Sequence, residues 1–132
     1  GVLISRVIYV KEGEQVRFLI IDAGMNDLLR PSLYDAHHEI TAVSPAGGPF
    51  RPYDVVGPIC ETGDTFARQL DLPPMSPGAL VAVRNAGAYG AVMASTYNSR
   101  PLVPEAMVGE NRVSLVRRRI ESEEEIVMDT LP

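Results

Sequence analysis

Residues 7–22 read "VIYVKEGEQVRFLIID". Two runs of β-branched and apolar residues flank Lys11-Glu12-Gly13-Glu14, a short polar turn with a glycine available for positive φ, which predicts a β-hairpin. The same grammar recurs down the chain. The stretches "EITAVS", "DVVGPIC", "TFARQL", "GALVAVR" and "AVMAST" read as further strands. Between them lie turn clusters at Pro45-Ala46-Gly47-Gly48, Glu61-Thr62-Gly63-Asp64, Pro77-Gly78 and Gly87-Ala88-Tyr89-Gly90. Near the end, "EAMV" and "RVSLVRRR" flank Gly109-Glu110-Asn111 as another hairpin.

Many short strands punctuated by 11 glycines and 11 prolines indicate an all-β fold, a Greek-key barrel or sandwich with one or two short helices. One helical turn is expected in "NDLLRP", capped by Asn26 or Asp27 and ended by Pro31, because proline disfavours α geometry in the residue before it. A second short helix is expected in "SEEEIVMDTL", where Ser122 and Glu125 have capping-box spacing.

With 132 residues, 45% of them hydrophobic, the chain fits one domain, residues 1–132. A net charge of −5 provides no footprint for nucleic acid or an anionic membrane. The longest basic run, Arg117-Arg118-Arg119, reads as a solvated strand edge. A single cysteine favours a reducing, cytoplasmic setting, and no apolar run approaches the ~20 residues that span a bilayer. The chain opens inside a strand-like run without an initiator Met, as a piece of a longer protein would.

Four constellations bear on chemistry. Cys60 lies in "GPICETGD", beside Glu61 and ahead of the Gly63-Asp64 turn. A lone cysteine usually fills a core, but a thiol displayed on a loop beside a carboxylate suits proton donation better than nucleophilic attack. In "NAGAYG", two glycines flank Tyr89, so backbone amides and a phenol can approach an anion there; the alternative is a plain turn. Arg30 and Tyr34 stand four apart around Pro31, a guanidinium fork and a phenol able to hold a carboxylate. Adjacent His37 and His38 in extended backbone point to opposite faces and lack a third ligand at suitable spacing, so no metal site is expected.

In order, "DAGMNDLLRPSLYDA", "GPICETGD" and "GAYGAVMASTYNSRP" resemble the C-terminal domain of the diaminopimelate decarboxylases, fold-type III pyridoxal-phosphate enzymes. The resemblance runs from about residue 2 to residue 119. It implies a C-terminal β domain preceded, in the whole enzyme, by a cofactor-binding (β/α)₈ barrel absent from this chain, and a homodimer with shared active sites. It implies that meso-diaminopimelate is converted to lysine and CO₂ in lysine biosynthesis. By position, Cys60 matches the acid that reprotonates the α-carbon, and Glu61 the carboxylate that contacts the substrate amino group. Arg30 and Tyr34 match the pair gripping the distal carboxylate, and Tyr89 the tyrosine contacting the cofactor phosphate. Thr62 stands where the family more often has serine, with the hydroxyl retained.

The Schiff-base lysine is not expected within these residues: the only lysine, Lys11, lies in the hairpin turn. The chain alone is therefore expected to be inactive. The competing readings are a related decarboxylase acting on carboxynorspermidine, ornithine or arginine, a non-catalytic regulatory homologue, and an unrelated β interaction module. A clamp for a distal carboxylate opposes the related-decarboxylase readings, since it serves no purpose for a substrate ending in an amine.

Overall fold

The computed structural model describes residues 1–120 and Glu124. Apart from Glu124, the helix expected over 122–131 lies outside the described residues. Six strands form one sheet that coils into a nearly closed barrel: β1 (Val2–Glu12), β2 (Arg17–Ile21), β3 (Ile40–Ala42), β4 (Arg51–Val56), β5 (Thr65–Leu72) and β6 (Leu80–Arg84), in the order β3-β6-β1-β2-β4-β5. Two short helices, α1 (Arg30–Tyr34) and α2 (Ala88–Met93), a 3₁₀ turn at Tyr97–Ser99 and a separate ribbon of β7 (Glu105–Val108) and β8 (Val113–Arg117) complete the described fold. The all-β expectation is borne out.

The opening hairpin forms, with Val10 opposite Leu19, but its turn lies later than the expected 11–14: Lys11 and Glu12 belong to β1 and pair with Phe18 and Arg17, so the turn spans residues 13–16. Gly13 does not take positive φ, which among the glycines falls to Gly48 and Gly78. Its reason is space: a Cβ there would stand 2.6 Å from the Val16 carbonyl oxygen, to which the Gly13 amide donates across the turn. Alternation sends Leu19 and Ile21 of β2, and Val81 and Val83 of β6, into a core shared with Val7, Leu28, Tyr53, Val55, Phe66 and Leu72.

Strand direction decides where the connecting segments emerge. β1 is antiparallel to both β2 and β6, while β2 and β4 are parallel. So β2, β4 and β6 all point the same way, and the segments leaving their C-terminal ends leave at one rim of the barrel. Those segments begin at Asp22, Gly57 and Asn85, and they contain all three motifs that carry the family resemblance.

Three further expectations are corrected. Pro31 stands in the first turn of α1 rather than ending a turn, since at the first helical positions its missing N–H has no partner to lose, and the residue before the helix is Leu29 rather than Asn26 or Asp27. The first half of the expected strand "AVMAST" is instead the end of α2, and the second half is irregular: alanine and methionine favour helix, and the one β-branched residue of that helix, Val92, is exposed. β4 ends at Val56, so Cys60 lies on a loop beyond the strand rather than at its end.

Candidate active site

The loop 57–64 is built around a buried carboxylate. Asp64 is 2% exposed, and its Oδ2 accepts from the Ile59 amide at 2.7 Å while its Oδ1 accepts from the Met25 amide at 2.7 Å. The Gly57 amide donates to the Asp64 carbonyl at 2.9 Å, closing the loop on itself. One side chain thus ties the Cys60 loop to the segment that leads into α1. Burial pushes the Asp64 carboxyl above its ordinary range, against the opposing pull of the two amides and of Arg100.

With its base held, the loop turns its tip outward, and Cys60, Glu61 and Thr62 are exposed. Ser32 of α1 lies against the loop, its Oγ 2.8 Å from where a Cβ of Gly63 would stand. Arg30 and Tyr34 sit one helical turn apart on α1, so they share a face. Arg30 is half-buried, whereas Tyr34 is 62% exposed.

Tyr89 is in the first turn of α2, 70% exposed, with the Arg30 guanidinium 5.8 Å from its ring centroid. That contact joins two of the predicted constellations across the rim. The glycines of "GAYG" have packing reasons: Gly90 is buried against Leu28, 3.1 Å from a would-be Cβ, and Gly87 abuts Gly1. His37 is exposed and His38 buried, with His38 Nδ1 2.9 Å from the Arg84 carbonyl oxygen, so the pair does point to opposite sides.

The residues that hold this rim together are not legible in the sequence. Arg100 donates to Asn26 Oδ1 at 2.9 Å and to the Asp22 carbonyl, and its guanidinium lies 3.7 Å from the buried Asp27 carboxylate. Asn26 in turn donates to Asp27 and to the Ser95 carbonyl. Burial raises the Asp27 pKa, opposed by the Gly24 amide and by Arg100. Sequence reasoning also misses Tyr97, whose hydroxyl donates to Glu61 Oε2 at 2.7 Å. The only signal is the position of Tyr97 and Arg100 within the third motif, which does not reveal partners 36 and 74 residues away.

Residues 1–87 match the pyridoxal-dependent decarboxylase C-terminal sheet domain, and the chain belongs to that family. It is 54% identical over 129 residues to the diaminopimelate decarboxylase of Zymomonas mobilis subsp. mobilis, covering 98% of this chain and 30% of that protein. Among solved structures, it superimposes on Helicobacter pylori diaminopimelate decarboxylase complexed with L-lysine with a TM-score of 0.89 and 45% identity, over 96% of this chain and 31% of the other. The M. jannaschii enzyme in co-complex with L-lysine gives a TM-score of 0.95 at 32% identity, over 99% of this chain and 30% of the other. The chain thus spans about a third of the length of these relatives. No helix among the described residues is long and apolar enough to cross a membrane.

Proposed function

We propose that residues 1–132 are the C-terminal β domain of a diaminopimelate decarboxylase, which converts meso-diaminopimelate to lysine and CO₂ in the cytoplasm. The observation that carries this reading is the convergence at one barrel rim of Arg30, Cys60, Glu61 and Tyr89 from three separate motifs, on a chain with 54% identity to such an enzyme. The exposure of Cys60, Glu61 and Tyr89 suits half of a site, completed by a (β/α)₈ barrel across a homodimer.

The residues fit pyridoxal phosphate in part: the exposed Tyr89 phenol, with Arg30 beside its ring, suits a phosphate contact, while Lys11, on the β1 hairpin strand, leaves the Schiff-base lysine to the barrel. When bound, the cofactor supplies the electron sink that allows CO₂ to leave. Cys60 holds a proton on Sγ at the loop tip and delivers it to the α-carbon. Glu61 presents a carboxylate to the substrate's amino group. Arg30 and Tyr34, on one face of α1, hold the distal carboxylate, where guanidinium geometry favours bidentate pairing.

The test is a substrate panel on the full-length, cofactor-loaded protein. Decarboxylation of meso-diaminopimelate in preference to ornithine, arginine and carboxynorspermidine is expected. Preference for ornithine, or no turnover of any of the four, would sink the assignment.

A further inference from the structure

We infer that Tyr97 is a positioning residue for Glu61, fixing the carboxylate in the orientation that receives the substrate's amino group; this rests on the role proposed for Glu61. The phenol donates to Glu61 Oε2 at 2.7 Å, from a different segment of the rim. Glu61 stands on the exposed tip of a turn, where a side chain with three rotatable bonds samples many directions. One hydrogen bond to Oε2 removes most of that freedom and leaves Oε1 for a ligand.

The backbone around Tyr97 is shaped for this. Asn98 and Ser99 follow it with φ of 61° and 54°, two successive non-glycine residues in the left-handed region, an unfavourable arrangement that persists only where neighbours enforce it. Here both flanks are anchored to one loop. The Ser95 amide donates to the Asn26 carbonyl at 2.9 Å, and Arg100 Nε donates to Asn26 Oδ1 at 2.9 Å. Tyr97 is therefore placed relative to the barrel core, and Glu61 inherits that placement.

The donor's chemistry also fits. A phenol orients a carboxylate without neutralising it, so the full negative charge remains for an ammonium group; an arginine or lysine in its place would compete with the substrate. The hydrogen bond to Glu61, reinforced by its charge, in turn raises the Tyr97 pKa above its ordinary value.

The test is a double-mutant cycle in the full-length holoenzyme with Tyr97→Phe, Glu61→Gln and the pair, measuring meso-diaminopimelate turnover and calorimetric affinity for L-lysine. Tyr97→Phe is expected to raise KM roughly tenfold, the scale of one charge-assisted hydrogen bond, with kcat within about threefold and lysine affinity reduced by a similar factor. In the Glu61→Gln background, where the amide oxygen still accepts from the phenol but without the carboxylate's charge, the effect of the same change is expected to shrink. Wild-type kinetics in Tyr97→Phe, or a loss that persists undiminished in the Glu61→Gln background, would overturn the inference while leaving the proposed function intact. If Glu61→Gln is itself indistinguishable from wild type, the role assigned to Glu61 falls and the inference with it. Absence of turnover in the wild type would remove the functional reading as well.

Discussion

The Asp64 carboxylate occupies the space where a side chain on Gly57 would begin: its oxygens lie 2.2 and 2.3 Å from an ideal Cβ at that position. Glycine is required at residue 57 because a buried acid must reach across it to the Ile59 and Met25 amides. Gly57→Ala is expected to destabilise the domain by about 3 kcal/mol, the upper range of overpacking penalties, and to displace the Cys60 loop. Thermal denaturation of the full-length protein checks it; an unchanged Tm would show that the carboxylate can move aside.

Asp64→Asn keeps the size of the side chain but turns an NH₂ toward a backbone N–H, leaving a buried donor without an acceptor. The expected loss is about 1–3 kcal/mol. The pH dependence has a definite sign. The folded pKa of Asp64 lies above the usual 3.8, so the native state binds this proton more firmly than the unfolded chain does. Its contribution to stability is therefore greatest below pH 3.8 and declines as pH rises to the folded value. Relative to Asp64→Asn, the wild type should lose part of its advantage over that window, as measured by chemical denaturation at a series of pH values.

Cys60→Ala should lower turnover by about 10²- to 10⁴-fold, the usual worth of a positioned acid, with KM changed far less. Steady-state kinetics on the full-length enzyme decide it. Wild-type turnover would make Cys60 an incidental surface thiol.

Arg30→Ala should raise KM for meso-diaminopimelate about 10- to 100-fold, as expected for loss of a charged hydrogen-bonding partner, and weaken its discrimination from lysine-like analogues. Because Arg30 also lies over the Tyr89 ring at 5.8 Å, the same variant should release cofactor more readily on dilution. Retained selectivity would separate Arg30 from substrate recognition.

Tyr97 titrates above its ordinary value of 10 because its hydroxyl is hydrogen-bonded to Glu61. A raised phenol pKa stabilises the fold fully below pH 10 and loses that contribution as pH rises through the folded value. Ultraviolet difference titration of wild type against Tyr97→Phe should show one late-ionising tyrosine, and Glu61→Gln should bring it down toward 10. An ordinary midpoint in the wild type would mean that the contact does not hold in solution.

Much of the fold is legible in the chain because a strand's two-residue period writes burial directly into sequence. The opening hairpin is read from two β-branched, apolar runs about a polar turn, and within the expected strand "GALVAVR" the buried Val81 and Val83 stand two apart on one face. The stretch "AVMAST" shows the limit of that rule, since a short run of small apolar residues suits helix and strand alike until a neighbour decides. Pro31 misleads for a related reason: its effect on the preceding residue argues for a terminator, while the same ring suits the start of a helix.

By itself the sequence determined the strand-rich class, the absence of an internal disulfide, and the chemistry available at Cys60, Glu61, Arg30, Tyr34 and Tyr89, because these depend on residue type and short spacing. Only the tertiary structure decided that β2, β4 and β6 run in one direction and so deliver those residues to one rim. It alone showed that Asp64 fills the space beside Gly57, that Arg100 anchors the Asn26 loop, and that Tyr97 holds Glu61. The physical reason is reach: hydrogen bonds and packing act over a few ångströms in space, and the partners here lie up to 78 residues apart along the chain.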